Sequence, residues 1–184
     1  METIEKRLAA SDFSEVKGRT LSGYAVQYGV ESRIGDFTES FAPGSVRKTI
    51  SDRPNQRDIV GLADHNSSEL LGRTSSGTLR LNEDARGLAF EIDLPPTPLG
   101  DEILALAARK DLGGVSFAFI PTAEEWSGDK RTVTEAQILE ISIIRAHAAY
   151  ASTANTLSVR AMYQQAEQSL RKRMFLHYLG GGAR

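Results

Sequence analysis

The chain has 184 residues, 22 Lys and Arg against 24 Asp and Glu for a formal net charge of −2, and no cysteine. That length suits one domain with an appendage, and roughly two thirds of the unfolded surface can be buried, so no metal or disulfide staple is needed. The lack of cysteine excludes disulfides, thiolate metal sites and cysteine nucleophiles, and the charge balance offers no basic excess for specific nucleic-acid binding.

No apolar run approaches the ~20 residues that span a bilayer, and Met1 to Ala10 lacks the apolar core of a signal peptide, so a protein made and used inside a cell, with no membrane partner, is expected.

In chain order, Ile4 to Ala10 reads as a first strand and Thr20 to Tyr28 as a second, with Val16 to Arg19 as the turn between them. Pro43 followed by Gly-Ser-Val-Arg-Lys-Thr-Ile reads as a short helix. Asp58 to Ala63 is a short buried strand that delivers Asp64-His65-Asn66 at its end. Leu70 to Arg73, Thr78 to Leu81 and Leu88 to Leu94 are extended, the last two joined by a hairpin over residues 82–87. The Pro95-Pro96-Thr97-Pro98 run stops that sheet. From Leu99 to Lys110 an apolar stripe of Ile103, Leu104, Leu106 and Ala107 marks a helix, with Asp101 and Glu102 in its first turn, where the helix dipole favours them.

Gly113-Gly114 ends that helix and opens the strand Val115-Ser116-Phe117-Ala118-Phe119-Ile120. A hairpin around Ser127 to Lys130 then returns through Ile138 to Ile144. Many short strands with two helices indicate a β-rich α+β fold, either a small closed or partly open β-barrel with flanking helices or a sandwich. Residues 1–150 form the core domain in this reading. Residues 151–184 form a C-terminal extension whose Leu157 to Leu179 helix is an interaction arm or a surface helix packed on the core.

Three histidines, 65, 147 and 177, are the whole supply of neutral-pH bases. Ser116 stands where alternation would otherwise place a small core residue. A serine hydroxyl becomes a nucleophile only beside a base, usually histidine, itself oriented by a third group. His65, at a strand end between Asp64 and Asn66, is a candidate base. Glu140 interrupts the apolar run Ile138 to Ile144, so it either faces solvent or is buried with a partner. His147 is the other candidate for the third place. The strand continues past Ser116, which excludes the strand-turn-helix nucleophile elbow.

Five segments in order, Leu21-Ser-Gly-Tyr-Ala, Phe41-Ala-Pro-Gly-Ser, Asp64-His65-Asn66 with Leu71-Gly72-Arg73-Thr74, Gly113-Gly114-Val115-Ser116-Phe117 and Leu139-Glu140-Ile141-Ser142-Ile143, resemble the prohead maturation proteases of tailed bacteriophages. That family is similar in fold to the herpesvirus assembly proteases, and the resemblance covers about Thr20 to Ala154. It implies a serine endopeptidase with Ser116 as nucleophile, His65 as general base and Glu140 as third member, His147 being the reserve, and with no metal or cofactor. It implies the major capsid protein with its scaffold segment as substrate, the enzyme itself as a second substrate, a homodimer by analogy with the herpesvirus enzymes, and packaging inside the prohead in the host cytoplasm. Where the family often has Pro-Ala after the last strand, this chain has Arg145-Ala146-His147, and Arg145 is either an aid to the oxyanion, through its backbone or a water, or a surface arginine. The rival expectation is a noncatalytic capsid-assembly or scaffolding protein that keeps the fold.

Overall fold

The last strand of the fold, β11 (Lys130–Ile144), carries the others. In the computed structural model, which describes residues 3–9, 13–51 and 57–145, it lies in a seven-stranded sheet. Its hairpin partner β10 (Gly114–Ser127) runs antiparallel along nearly its whole length, joined through the Gly128-Asp129 turn, and β1 (Glu5–Ala9) pairs with the far edge of β10. On its other edge β11 takes two parallel partners in succession. The early residues Lys130 to Val133 pair with β5 (Phe37–Phe41), which β4 (Ser32–Ile34) extends, and the late residues Glu140 to Ile143 pair with β6 (Val60–Ala63), which β7 (Asn66–Arg73) extends. A second sheet has the order β2 (Phe13–Lys17), β3 (Thr20–Gln27), β9 (Gly87–Asp93), β8 (Leu79–Glu83).

The core lies between these sheets. Leu21, Val26, Leu88, Phe90 and Ile92 come from the four-stranded sheet, and Phe41, Val115, Phe117, Phe119, Ile138, Ile141 and Ile143 from the seven-stranded one. The rings of Phe41, Phe117 and Phe119 meet with centroids 5.1 to 5.5 Å apart, Phe41 edge-on to the other two. The expected β-rich fold with two helices is present. The strand pairings close neither sheet into a barrel, because β11 divides one edge between β5 and β6 while β1 ends the sheet on the other side.

Local chemistry accounts for the helices. In α2 (Pro98–Arg109) Thr97 caps the N-terminus by accepting from the Gly100 N–H, Pro98 opens the first turn, and Lys110 closes the helix in a left-handed conformation. Arg19 fastens this end to the four-stranded sheet, with Nε on the Leu94 carbonyl at 3.0 Å and a further nitrogen on Asp101 at 2.8 Å. The other helix, α1, is a single stretch at Arg47–Ser51. The sequence pattern assigns Val16 and Lys17 to a turn; they end β2 instead, because β3 supplies backbone partners that a local reading of 16–19 does not contain. The strands β4 and β5, which the pattern does not mark, likewise depend on a distant partner, β5 pairing with β11 and β4 with β5. The expected helix over 157–179 lies outside the described residues. Among the described residues no helix is long and apolar enough to cross a membrane.

Gly87 begins β9 with φ of 151°, and a Cβ there would stand 2.0 Å from the Val26 carbonyl oxygen. Gly87→Ala is expected to destabilise the fold by about 3 kcal/mol, since backbone rather than a flexible side chain must move. Equilibrium urea denaturation checks this, with an unchanged midpoint as the contrary result.

Candidate active site

Three segments that are distant in sequence meet at one end of the seven-stranded sheet. The pairing of β10 with β11 places Ser116 opposite Ser142 and Ala118 opposite Glu140. A bulge falls between the pairs Ala118–Glu140 and Phe119–Ile138, leaving Leu139 as the extra residue. Uninterrupted alternation would put Glu140 on the face of Ile138. The bulge instead lets Ile138, Ile141 and Ile143 all enter the core while Glu140 and Ser142 turn to the opposite face, beside Ser116.

The third segment is the turn between β6 and β7. Ala63 pairs with Asn66, so Asp64 and His65 are the two central residues of a tight hairpin turn, with φ of 47° and 59°. Consecutive positive φ values suit the twist of a two-residue hairpin, but they are strained for residues other than glycine. Contacts from β11 and the residue after it hold the turn. The Asp64 N–H donates to the Ile143 carbonyl at 3.0 Å, and the His65 N–H donates to Ser142 Oγ at 3.1 Å. Arg145 grips the Asp64 carboxylate from its own N–H at 2.8 Å and from Nε at 2.6 Å, and its guanidinium also reaches Glu69 and Glu102. Arg145 is thus engaged as a brace on the turn through its side chain and through the backbone N–H expected on sequence grounds to aid the oxyanion.

This arrangement sets His65 between the two partners named from the sequence. Its Nε2 lies 2.7 Å from Ser116 Oγ and its Nδ1 lies 2.5 Å from Glu140 Oε1. A carboxylate can only accept, so Nδ1 carries the proton toward Glu140 and Nε2 faces the serine hydroxyl. Ser142 donates to the same Glu140 oxygen at 2.6 Å while accepting from the His65 N–H, which ties the carboxylate to the turn carrying the imidazole. Ser116 is 4 % exposed, and the side chains of His65 and Glu140 are 7 % and 14 % exposed. The arrangement can pass a proton from hydroxyl to imidazole while a buried anion stabilises the resulting charge.

Burial alone would push the Glu140 carboxyl up, but hydrogen bonds from His65 and Ser142, with the charge of His65 and of Lys6, outweigh it and hold the group below its ordinary value of 4.5.

His147 lies outside the described residues. Ser142 and Asp64 are functional neighbours to which a sequence reading assigns no role. Ser142 had a legible signal in its i+2 spacing from Glu140; the Asp64–Arg145 brace had none, since its partners are 81 residues apart. Gly114 opens β10 as expected, and Gly113 just before it donates its N–H to the Ile144 carbonyl at 2.7 Å, whereas the helix expected to end at this pair is already closed by Lys110.

A carboxyl depressed in the folded state contributes stability that is present above its unfolded value and is lost as pH falls through the folded one. Glu140→Gln is therefore expected to cost about 2 kcal/mol near neutral pH, and the gap from wild type should shrink as pH falls below 4.5. Urea midpoints across pH 3 to 7 measure it; a gap that does not vary with pH would contradict the assignment.

Comparison with known proteins identifies the family. The sequence profile of the caudovirus prohead serine proteases matches residues 6–168. Among solved structures, the capsid assembly protease gp21 of bacteriophage T4 superposes with a TM-score of 0.51 at 11 % identity, over 77 % of this chain and 96 % of that one, a likeness of fold. No curated protein matches by sequence. With a profile match spanning most of its length, the chain belongs to the caudovirus prohead serine protease family.

Proposed function

We propose that the chain is the serine endopeptidase of phage prohead maturation, with Ser116 as nucleophile, His65 as general base and Glu140 as the third member. The observation that carries this reading is the continuous contact from Ser116 Oγ to His65 Nε2 at 2.7 Å and from His65 Nδ1 to Glu140 at 2.5 Å. The three residues arrive from β10, the β6–β7 turn and β11. A scaffolding protein that merely kept the fold has no need of a strained histidine aimed at a buried serine.

In the proposed reaction His65 Nε2 takes the Ser116 proton as Oγ attacks the carbonyl carbon of the scissile peptide. Glu140 fixes the tautomer and stabilises the imidazolium. His65 then returns the proton to the leaving amine, and water hydrolyses the acyl-enzyme by the same route in reverse. Ser142 and the Asp64–Arg145 pair act as positioning residues, because each holds the His65 turn without reaching the reacting atoms. The substrates are the scaffold segment of the major capsid protein and the enzyme itself, inside the immature capsid in the host cytoplasm. Confinement there raises the effective concentration enough for a weakly bound substrate to be cut.

Co-expression with the cognate major capsid protein, followed by intact mass measurement, tests the proposal. Ser116→Ala is expected to leave the capsid protein full length, a loss of about a thousandfold or more, and Glu140→Gln to slow processing by about a hundredfold. His147→Ala is expected to process normally. Capsid protein still trimmed in the Ser116→Ala cells would overturn the reading.

A further inference from the structure

The hydroxyl of Ser116 has a second partner. It lies 2.7 Å from the backbone carbonyl oxygen of Arg7, an acceptor that competes with His65 Nε2 for its proton. Arg7 belongs to β1, which pairs antiparallel with the outer edge of β10 so that Leu8 stands opposite Ser116 and Lys6 opposite Ala118. A serine hydroxyl has one proton. While that proton is held by the Arg7 carbonyl, it is not directed at His65, and the strand backbone fills the space through which a scissile carbonyl must approach Oγ. A carbonyl oxygen that accepts from the nucleophile also points the wrong way for attack at its carbon.

The way β1 is attached differs from every core strand. None of its five residues is fully buried. A recess lined by Leu8, Ala9, Ala25, Val26, Phe41 and Phe117 lies against it. Charges hold it: Arg7 binds Glu39 at 2.6 and 2.8 Å, and Glu5 binds Arg131 at 2.7 and 2.9 Å. Glu39 and Arg131 are 2 % and 5 % exposed, and they also bind each other at 2.8 Å, with Arg131 reaching Glu124 as well. If β1 left, neither buried charge would be stranded, which removes the largest penalty for releasing a charged strand.

We propose that β1 is a built-in blocking strand, and that the outer edge of β10 is a docking surface for an extended peptide with an acid two residues before a base, the pattern by which Glu5 and Arg7 meet Arg131 and Glu39. The proposal rests on the serine-nucleophile reading above. Main-chain pairing would supply the affinity of such a peptide, and the buried Glu39–Arg131 pair its selectivity.

A reversible lock tests this, because the chain contains no cysteine. In the double variant Lys6→Cys, Ala118→Cys, the cross-strand pair forms one disulfide, and the rate at which a fluorophosphonate labels Ser116 is compared in the oxidised and reduced forms. The oxidised form is expected to be labelled at least tenfold more slowly. A chain lacking residues 1–9 is expected to be labelled at least tenfold faster than wild type, and added peptide Thr3–Ala10, but not the same peptide with Arg7→Glu, should slow it again. Equal rates in the two redox forms, or a folded truncated chain labelled no faster, would overturn the blocking role while leaving the nucleophile intact; if the truncated chain does not fold, the disulfide comparison decides. Labelling absent from every form, the reduced variant included, would instead overturn the serine-nucleophile reading and the blocking role with it.

Discussion

A carboxylate at position 140, in a strand whose neighbours Ile138, Ile141 and Ile143 are fully buried, has to be satisfied where it stands or carried to the surface. It is satisfied by His65 Nδ1 and by Ser142 Oγ, both on the same oxygen. That requirement links the rest of the fold. To bring His65 within reach, β6 must pair in parallel with the final residues of β11, and the hairpin after β6 must turn tightly enough to aim the imidazole back across the strand. To leave room for the carboxylate, β11 must bulge, so that the isoleucines keep the core and the polar residues share the opposite face.

The electrostatics of the two ends of β11 follow one rule with different outcomes. At the Glu140 end, hydrogen bonds outweigh desolvation and hold a carboxylate beside the imidazole. At the other end, Arg131 and Glu39 are more deeply buried and are stabilised by mutual pairing and by the charges of β1. The first cluster orients the His65 imidazole, whereas the second fastens the strand whose Arg7 carbonyl meets Ser116. Both lie on the same β-ladder, with β10 as the shared neighbour, so the position of β1 and the access of Ser116 are geometrically connected.

The strain in the Asp64–His65 turn has a comparable logic. Two left-handed residues without a glycine form a conformation that the chain adopts only under external hold. Here the hold comes from Ile143, Ser142 and Arg145, all close to Glu140 in sequence. One short stretch, residues 140–145, therefore supplies the carboxylate, its link to the histidine and the brace on the turn.

Much of this was legible in the sequence. Among the described residues the expected segments return as strands or helices, most of them near their assigned limits, because apolar alternation, the proline run at 95–98 and the Gly128-Asp129 turn are local signals that do not depend on the rest of the chain. Ser116, His65 and Glu140 were visible as candidates, a hydroxyl in an apolar strand, a scarce base and an acid in an apolar run, and only the family resemblance joined them into one site. What the tertiary structure decided is everything that depends on strand partners. The bulge at Leu139, the second parallel partner of β11, the Asp64–Arg145 brace and the Arg7 carbonyl on Ser116 arise from contacts between segments far apart in the chain, and no periodicity within one segment encodes which edge another will choose.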